Sequence, residues 1–199
     1  MAKTNCLKFL ILLSSTVFTL QLYSQAKRFN VGGIFGLNFS ELEGNGITDY
    51  YGINTGLIGT ARLTKHSQLA MELLYSQNGE YVLPTYYPPI EYGRVRLNHI
   101  EIPVHFDILI GIFEREKFYD WHLQFGAAYT RLLNYSARDQ GKVDVSDQII
   151  YKNKEAMLLQ AGTSYQFTKK LSVNFRASLP IRVNGLDWTL AARLCYMLD

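Results

Sequence analysis

Hydrophobic and polar residues alternate with a period of two along most of the chain. Between Phe29 and Phe39 the odd positions are mostly large and apolar, whereas the even positions are small or polar. This period is typical of β-strands with two unlike faces. No helix-length period is present. The pattern predicts eight strands, at residues 29–39, 51–63, 69–76, 95–110, 121–134, 157–167, 171–183 and 188–198.

The links between these segments alternate, imperfectly, between short and long. Thr64–His66 and Thr168–Lys170 are tight turns, and the polar links 42–49, 82–93 and 137–151 are longer. Residues 111–119 form a turn of middling length, and residues 184–187 form a short link on the long-loop side. Short turns at one end and longer loops at the other are characteristic of membrane barrels. We therefore predict one antiparallel up-and-down barrel.

The composition excludes several other classes of protein. A chain of 199 residues is long enough for one domain with a full core. Charged residues make up 19%, below the roughly 25% of soluble domains, and a mean hydropathy of −0.05 excludes a bundle of membrane helices. Aromatic residues collect near strand ends, as interfacial girdles require: Tyr50, Tyr51, Tyr81, Tyr92, Tyr135 and Trp188 at one rim, and Phe118, Tyr119, Trp121, Tyr165 and Phe167 at the other.

The first 26 residues have the features of a secretory signal peptide. Lys3 and Lys8 precede an apolar run, and Ser24 and Ala26 are small residues suited to a cleavage site. The alternative is an uncleaved anchor, but the apolar run falls short of the roughly 20 residues that a spanning helix needs. Cys6 lies too early, and without a preceding small residue, for a lipoprotein. We predict a cleavable signal at residues 1–26 and the barrel domain at residues 27–199.

Removal of this segment changes the charge. Without Lys3 and Lys8, the 20 basic residues become 18 against 17 acidic ones, a formal net charge of +1. This charge gives no electrostatic footprint for nucleic acid. Only Cys195 remains of the two cysteines, so no intramolecular disulfide can form. No motif indicates a cofactor.

The volume of the bore decides which face points inward. An eight-stranded barrel is only just wide enough for side chains, so the small residues and the few charged ones fit inside, while the large apolar face meets lipid. The alternative is a soluble, lipocalin-like barrel with a small apolar ligand in its interior. Because an unpaired buried charge is strongly destabilising, we predict a charge network in the lumen, formed by Arg62, Glu72, Glu101, Asp107, Arg176, Arg182 and Arg193.

Two groups of residues have the side-chain types of a catalytic or metal site. His99, Glu101, His105 and Asp107 share one face of a strand, as metal ligands or an acid–base set would. The run extends roughly 26 Å at about 3.3 Å per residue, so all four cannot meet at one ion. A lipid-modifying enzyme would place its residues at the outer rim, where no spacing connects His99, Asp139, Asp144 and Ser146. We predict no catalytic, cofactor-binding or metal residues.

Four segments resemble the PorT-like outer-membrane β-barrels of Bacteroidetes. They are the opening run Val31–Gly44, the third-strand motif Glu72–Gly79, His99–Val104 and the fifth-strand Leu123–Gly126. Their order and spacing cover the whole mature chain. The resemblance implies an outer-membrane location, contact with outer-membrane lipid, and a link to secretion or gliding proteins of the envelope. The chain departs from the pattern at its end, Cys195–Asp199, which lacks the terminal aromatic residue of such barrels.

Overall fold

The computed structural model describes residues 28–40, 50–82, 85–86, 89–90, 93–111, 120–139, 155–181 and 188–198. The predicted signal segment 1–26 lies outside these residues. The regular elements within them are ten β-strands: β1 (Phe29–Ser40), β2 (Tyr50–Arg62), β3 (Ser67–Val82), β4 (Thr85–Tyr86), β5 (Pro89–Ile90), β6 (Gly93–Ile110), β7 (Trp121–Asp139), β8 (Glu155–Gln166), β9 (Leu171–Ile181) and β10 (Thr189–Leu198).

Eight of these strands close into an antiparallel barrel. The order around the barrel is β1-β10-β9-β8-β7-β6-β3-β2, so each strand pairs with its neighbours along the chain. The first and last strands complete the ring, since Phe35 of β1 lies opposite both Thr55 of β2 and Leu194 of β10. Closure leaves the sheet of the barrel without an exposed edge. The predicted eight-stranded antiparallel up-and-down barrel is confirmed.

Three strands are longer than the sequence pattern predicted. β3, β6 and β7 have 16, 18 and 19 residues, and their outer ends pair as Val82 with Gly93 and Gly93 with Asp139. Asp139 therefore belongs to a strand rather than to the predicted link 137–151. The link 82–93 also contains the small β4–β5 pair. Strands of two residues are too short for a period-two pattern to reveal them.

The two faces of the barrel differ sharply. Large apolar side chains point outward all around it, among them Phe35, Leu57, Leu73 and Phe125, each more than half exposed. A small apolar group, Ile34, Ile58, Ala70, Leu74 and Cys195, points inward with Met197 packed against it. Most other fully buried positions are polar or charged. The apolar exterior is the surface that a lipid-embedded barrel requires.

Aromatic side chains pack edge to face near both ends of the barrel. At the short-turn end the ring of Tyr165 lies 5.1 Å from Trp121 and 5.0 Å from Phe167, and Phe39 lies 5.2 Å from Tyr51 at the other end. Tyr50 was predicted to belong to the aromatic girdle, but its side chain is buried, with 4% exposure. The side chains of Tyr81, Tyr92, Phe118 and Tyr119 lie outside the described part of the chain.

Candidate functional site: a charged cluster in the lumen

Glu72 on β3 is the centre of the charged lumen. Arg176 on β9 donates to both of its carboxylate oxygens, from Nη1 to Oε2 at 2.9 Å and from Nη2 to Oε1 at 3.0 Å. Arg193 on β10 donates from Nη1 to Oε2 at 2.8 Å. All three side chains are at most 2% exposed. Bidentate arginine–carboxylate contacts, such as the one between Arg176 and Glu72, are among the strongest hydrogen bonds in proteins.

A histidine connects Glu72 to a second carboxylate. His105 Nε2 lies 3.0 Å from Glu72 Oε1, and its Nδ1 lies 2.6 Å from Asp107 Oδ1. Both His105 and Asp107 are on β6 and almost fully buried. The imidazole therefore bridges two acids across neighbouring strands. We call Glu72, His105, Asp107, Arg176 and Arg193 the lumen cluster.

Amide side chains satisfy the remaining polar atoms of the lumen cluster. Gln68 donates to Asp107 Oδ2 at 2.8 Å, and Gln124 donates to the same oxygen at 3.3 Å. Asn174 Oδ1 accepts from Arg193 Nε at 2.9 Å, while its Nδ2 donates to Gln124. A buried charged group is tolerated only when its hydrogen-bonding capacity is used in this way. The amides lie on the small, polar face of their strands but were not predicted as site residues. Period-two alternation predicts which face a side chain occupies, but it does not predict its hydrogen-bond partner.

The predicted network residues fall into four groups. Glu72, Asp107, Arg176 and Arg193 meet in the lumen cluster. Glu101 is buried but, among the described residues, has no ion pair within 4.0 Å; it interacts with Ser76 and, over a longer distance, with Arg193 and Arg176. Arg62 ends β2 at the mouth of the bore, outside the lumen cluster, where its side chain is exposed. Arg182 lies outside the described residues.

A layer of neutral polar side chains lies on the long-loop side of the lumen cluster. Asn38 donates to Ser76 Oγ at 2.7 Å and to Asn78 Oδ1 at 2.9 Å, and it accepts from Asn54 at 3.1 Å. His99 is buried nearby, and its Nδ1 has no hydrogen-bond partner among the described residues. The four residues considered as a metal or acid–base set are thus divided, with His105 and Asp107 in the lumen cluster and His99 and Glu101 beyond it.

The described residues contain neither a candidate metal site nor a candidate spanning helix. No three His, Cys, Asp or Glu side chains of the described part group closely enough to hold a metal ion. No helix in the described ranges is long and apolar enough to cross a membrane.

The chain matches a known protein family, and the match is consistent with a barrel that has an apolar exterior and a charged interior. The model of the "outer membrane protein beta-barrel domain" family matches residues 21–198. This chain belongs to that family. It is an outer-membrane barrel protein, and the predicted location is confirmed.

Solved structures similar to this outer-membrane barrel share its fold at low sequence identity. The attachment invasion locus protein Ail of Yersinia pestis has a TM-score of 0.50 at 9% identity, covering 86% of this chain and 99% of Ail. Ail in complex with the heparin analogue sucrose octasulfate has the same TM-score and coverages at 8% identity. OprG of Pseudomonas aeruginosa has a TM-score of 0.45 at 10% identity, covering 86% of this chain and 95% of OprG. No curated protein matches the chain.

Glycines face the large side chains of the lumen cluster across the strand pairs of this outer-membrane barrel. Gly36 pairs with Arg193, Gly126 with His105, and Gly162 with Arg176. A Cβ atom on Gly36 would lie 2.3 Å from the carbonyl oxygen of Ala192 and 2.8 Å from Cγ of Arg193. The missing side chain thus leaves room for the stem of the arginine. These glycines were not predicted as site residues, although the small size of their face indicated a crowded bore.

We expect Gly36→Ala to lower the free energy of unfolding by about 1–3 kcal/mol, since the added methyl group overpacks the lumen. Gly33→Ala is the matched control on the same strand. A Cβ atom there has only one neighbour within 4 Å, the carbonyl oxygen of Gly56 at 4.0 Å, so we expect a change below about 0.5 kcal/mol. Urea unfolding in detergent, followed by the gel mobility of the folded barrel, measures both variants. Equal losses would contradict the packing argument.

Proposed function

We propose that this outer-membrane protein is a non-enzymatic structural or interaction module whose lumen is closed by the lumen cluster. One observation carries the proposal. β9 is four strands from β3 in either direction around the ring, so the contact from Arg176 to Glu72 at 2.9 Å crosses the full width of the barrel. Arg193 and His105 contact the same carboxylate from two further strands. A solute passing along the axis would have to break these contacts.

Two features favour this role over a lipocalin-like barrel or a rim enzyme. A cavity at the short-turn end of the lumen is lined mainly by charged, amide and hydroxyl side chains, which do not suit an apolar ligand. The carboxylates of the lumen cluster are held by arginines and amides rather than presented to a substrate. Of the candidate rim residues, Asp144 and Ser146 lie outside the described part, and His99 is buried.

We expect the protein in planar lipid bilayers to show no stable, large conductance. The lumen cluster spans the bore, and its ion pairs are too deeply buried to be replaced by hydrated ions at low cost. A variant with Glu72, Arg176 and Arg193 all replaced by alanine serves as the comparison. It removes the crossing contacts together, and we expect it to conduct if its gel mobility shows a folded barrel. Stable, large pores in the unmodified protein would show that the lumen is open.

The resemblance to PorT-like barrels supports a more specific proposal, a link to secretion or gliding machinery of the envelope. It rests on the segments Val31–Gly44, Glu72–Gly79, His99–Val104 and Leu123–Gly126. Cross-linking in intact cells, followed by purification of this barrel and mass spectrometry, tests it. Recovery of secretion or gliding components supports the link, and recovery of abundant outer-membrane proteins alone would overturn it.

A further inference from the structure

A cavity opens at the short-turn end of the barrel and ends blindly at the lumen cluster. Its volume is about 280 Å³. Glu72, Asp107 and Arg193 line its inner end, and Arg28, Arg62 and Lys169 line it near the mouth. We call this cavity the vestibule. Since short turns of outer-membrane barrels face the periplasm, the vestibule opens to that side.

The lining of the vestibule has an excess of positive charge. Its cationic side chains are Arg28, Arg62, Lys169, Lys170 and Arg193, whereas its acidic side chains are Glu72 and Asp107. Both acids are already engaged, Glu72 with two arginines and Asp107 with His105 and two amides. The excess therefore lies at the mouth, where Arg28 and Lys169 are exposed.

A second cavity extends the cationic surface. It has a volume of about 340 Å³ and is lined by Arg28, Arg62, Leu63, Thr64 and Lys65. Arg28 and Arg62 are therefore shared between the two cavities, and Lys65 adds a further positive charge beside them. A ligand in the vestibule meets cations just before β1, at the end of β2 and in the β8–β9 turn.

Backbone hydrogen bonds hold the mouth of the vestibule in place. Arg62 N donates to Arg28 O at 2.8 Å, and Met197 N donates to Lys170 O at 2.8 Å. The two tight turns are closed by bonds to Ser67 O and to Leu171 O. The backbone positions of the cationic residues are thus set before any ligand arrives. Such preorganisation reduces the free-energy cost of binding.

We propose that the vestibule binds a multivalent oxyanion of the phosphate class, presented by a soluble periplasmic molecule or by a lipid headgroup. Guanidinium groups pair with phosphate through two parallel hydrogen bonds, and lysine adds a point charge. At roughly 30 Å³ per water molecule, the vestibule volume corresponds to about nine waters. This is room for a diphosphate-sized group with part of its hydration shell. The polar lining and the net positive charge exclude an apolar or cationic ligand.

The soluble arm of the test uses the full chain in nanodiscs of phosphatidylcholine. We expect inorganic pyrophosphate to bind saturably in calorimetry at low ionic strength, and more weakly as salt screens the charges. The double variant Arg28→Gln/Lys169→Gln should bind at least tenfold more weakly. Arg131→Gln is the control, since Arg131 is exposed and its strand pairs with β8 at the opposite end of the barrel. We expect Arg131→Gln to bind pyrophosphate like the unmodified protein.

The lipid arm uses nanodiscs that contain phosphatidylglycerol beside phosphatidylcholine. Native mass spectrometry measures how much phosphatidylglycerol stays bound to the released barrel. Retention that falls at least tenfold in the double variant, and not in Arg131→Gln, supports a headgroup source. Saturable pyrophosphate binding with the same dependence on the variants supports a soluble source. The proposal is overturned if neither probe binds saturably, or if the double variant and the control behave alike.

Discussion

Replacing Glu72 with alanine is expected to lower the free energy of unfolding by about 3–5 kcal/mol, the largest effect of any single substitution considered for this protein. The carboxylate accepts hydrogen bonds from Arg176 and Arg193 and contacts His105. Its removal leaves two guanidinium groups buried without their counter-ion. Unfolding by urea in detergent micelles, followed by gel mobility, gives the free energy by linear extrapolation.

Two further variants make this test specific to charge pairing. Glu72→Gln keeps the shape of the side chain but loses its charge, so most of the destabilisation should remain. Glu155→Ala is the control, because Glu155 lies 3.9 Å from Arg131 and both side chains are more than half exposed. Exposed pairs contribute about 0–1 kcal/mol. Similar losses for Glu72→Ala and Glu155→Ala would mean that the lumen cluster does not stabilise the barrel.

Contacts within the lumen cluster should also be strongly coupled. The double variant Glu72→Ala/Arg193→Ala is expected to lose less stability than the sum of its two single variants, because removing both partners leaves fewer unpaired buried charges. Additive losses would indicate that the two side chains act independently despite the 2.8 Å contact between them.

An arginine in place of Leu57 is expected to lower the free energy of unfolding in lipid vesicles by about 2–4 kcal/mol. Leu57 points outward from the middle of β2, with 59% exposure, and pairs with Gly33 and Leu73 on the neighbouring strands. The guanidinium would be placed at mid-depth in the hydrocarbon, where hydrating it is costly. Unfolding in vesicles measures the change, with gel mobility reporting the folded fraction.

Leu63→Arg provides the matched control for depth. Leu63 is also exposed, but it follows the end of β2 at the tight turn. Six residues at about 3.3 Å each separate the two positions along the strand. We expect Leu63→Arg to cost about 0–1 kcal/mol, as at other interfacial sites. Equal costs at Leu57 and Leu63 would contradict the placement of this face in the membrane.

Much of the barrel was predictable because period-two alternation is a local property of the chain. The side chains at 29–39 and 157–167 alternate between unlike faces whatever the rest of the chain does. The crowding of an eight-stranded bore then decides that the small face points inward. The match to the barrel family and the closed ring of strands confirm this reasoning for the fold. The β4 and β5 strands were too short for a period-two pattern to reveal. The long outer ends of β3, β6 and β7 escaped prediction because pairing between strands rather than periodicity creates them.

The charged residues of the lumen show where sequence information ends. Alternation places Glu72 and Glu101 on inward faces alike, yet Glu72 meets both arginines and Glu101 meets neither within 4.0 Å among the described residues. The same pattern gave no sign that Arg62 would reach solvent. Alternation along a strand decides which face of the sheet a side chain points to, but it does not decide the position of that side chain along the barrel axis.

The sequence by itself determined that the chain is a single β-barrel with an apolar outer face and a polar inner one. Only the tertiary structure decided which polar groups meet. Glu72 and Arg176 are 104 residues apart and lie on opposite walls of the barrel, so their height depends on the register of every strand pair between them. Gly36, Gly126 and Gly162 similarly face Arg193, His105 and Arg176 only once that register is set. Side-chain parity is local, whereas register is a property of the closed ring.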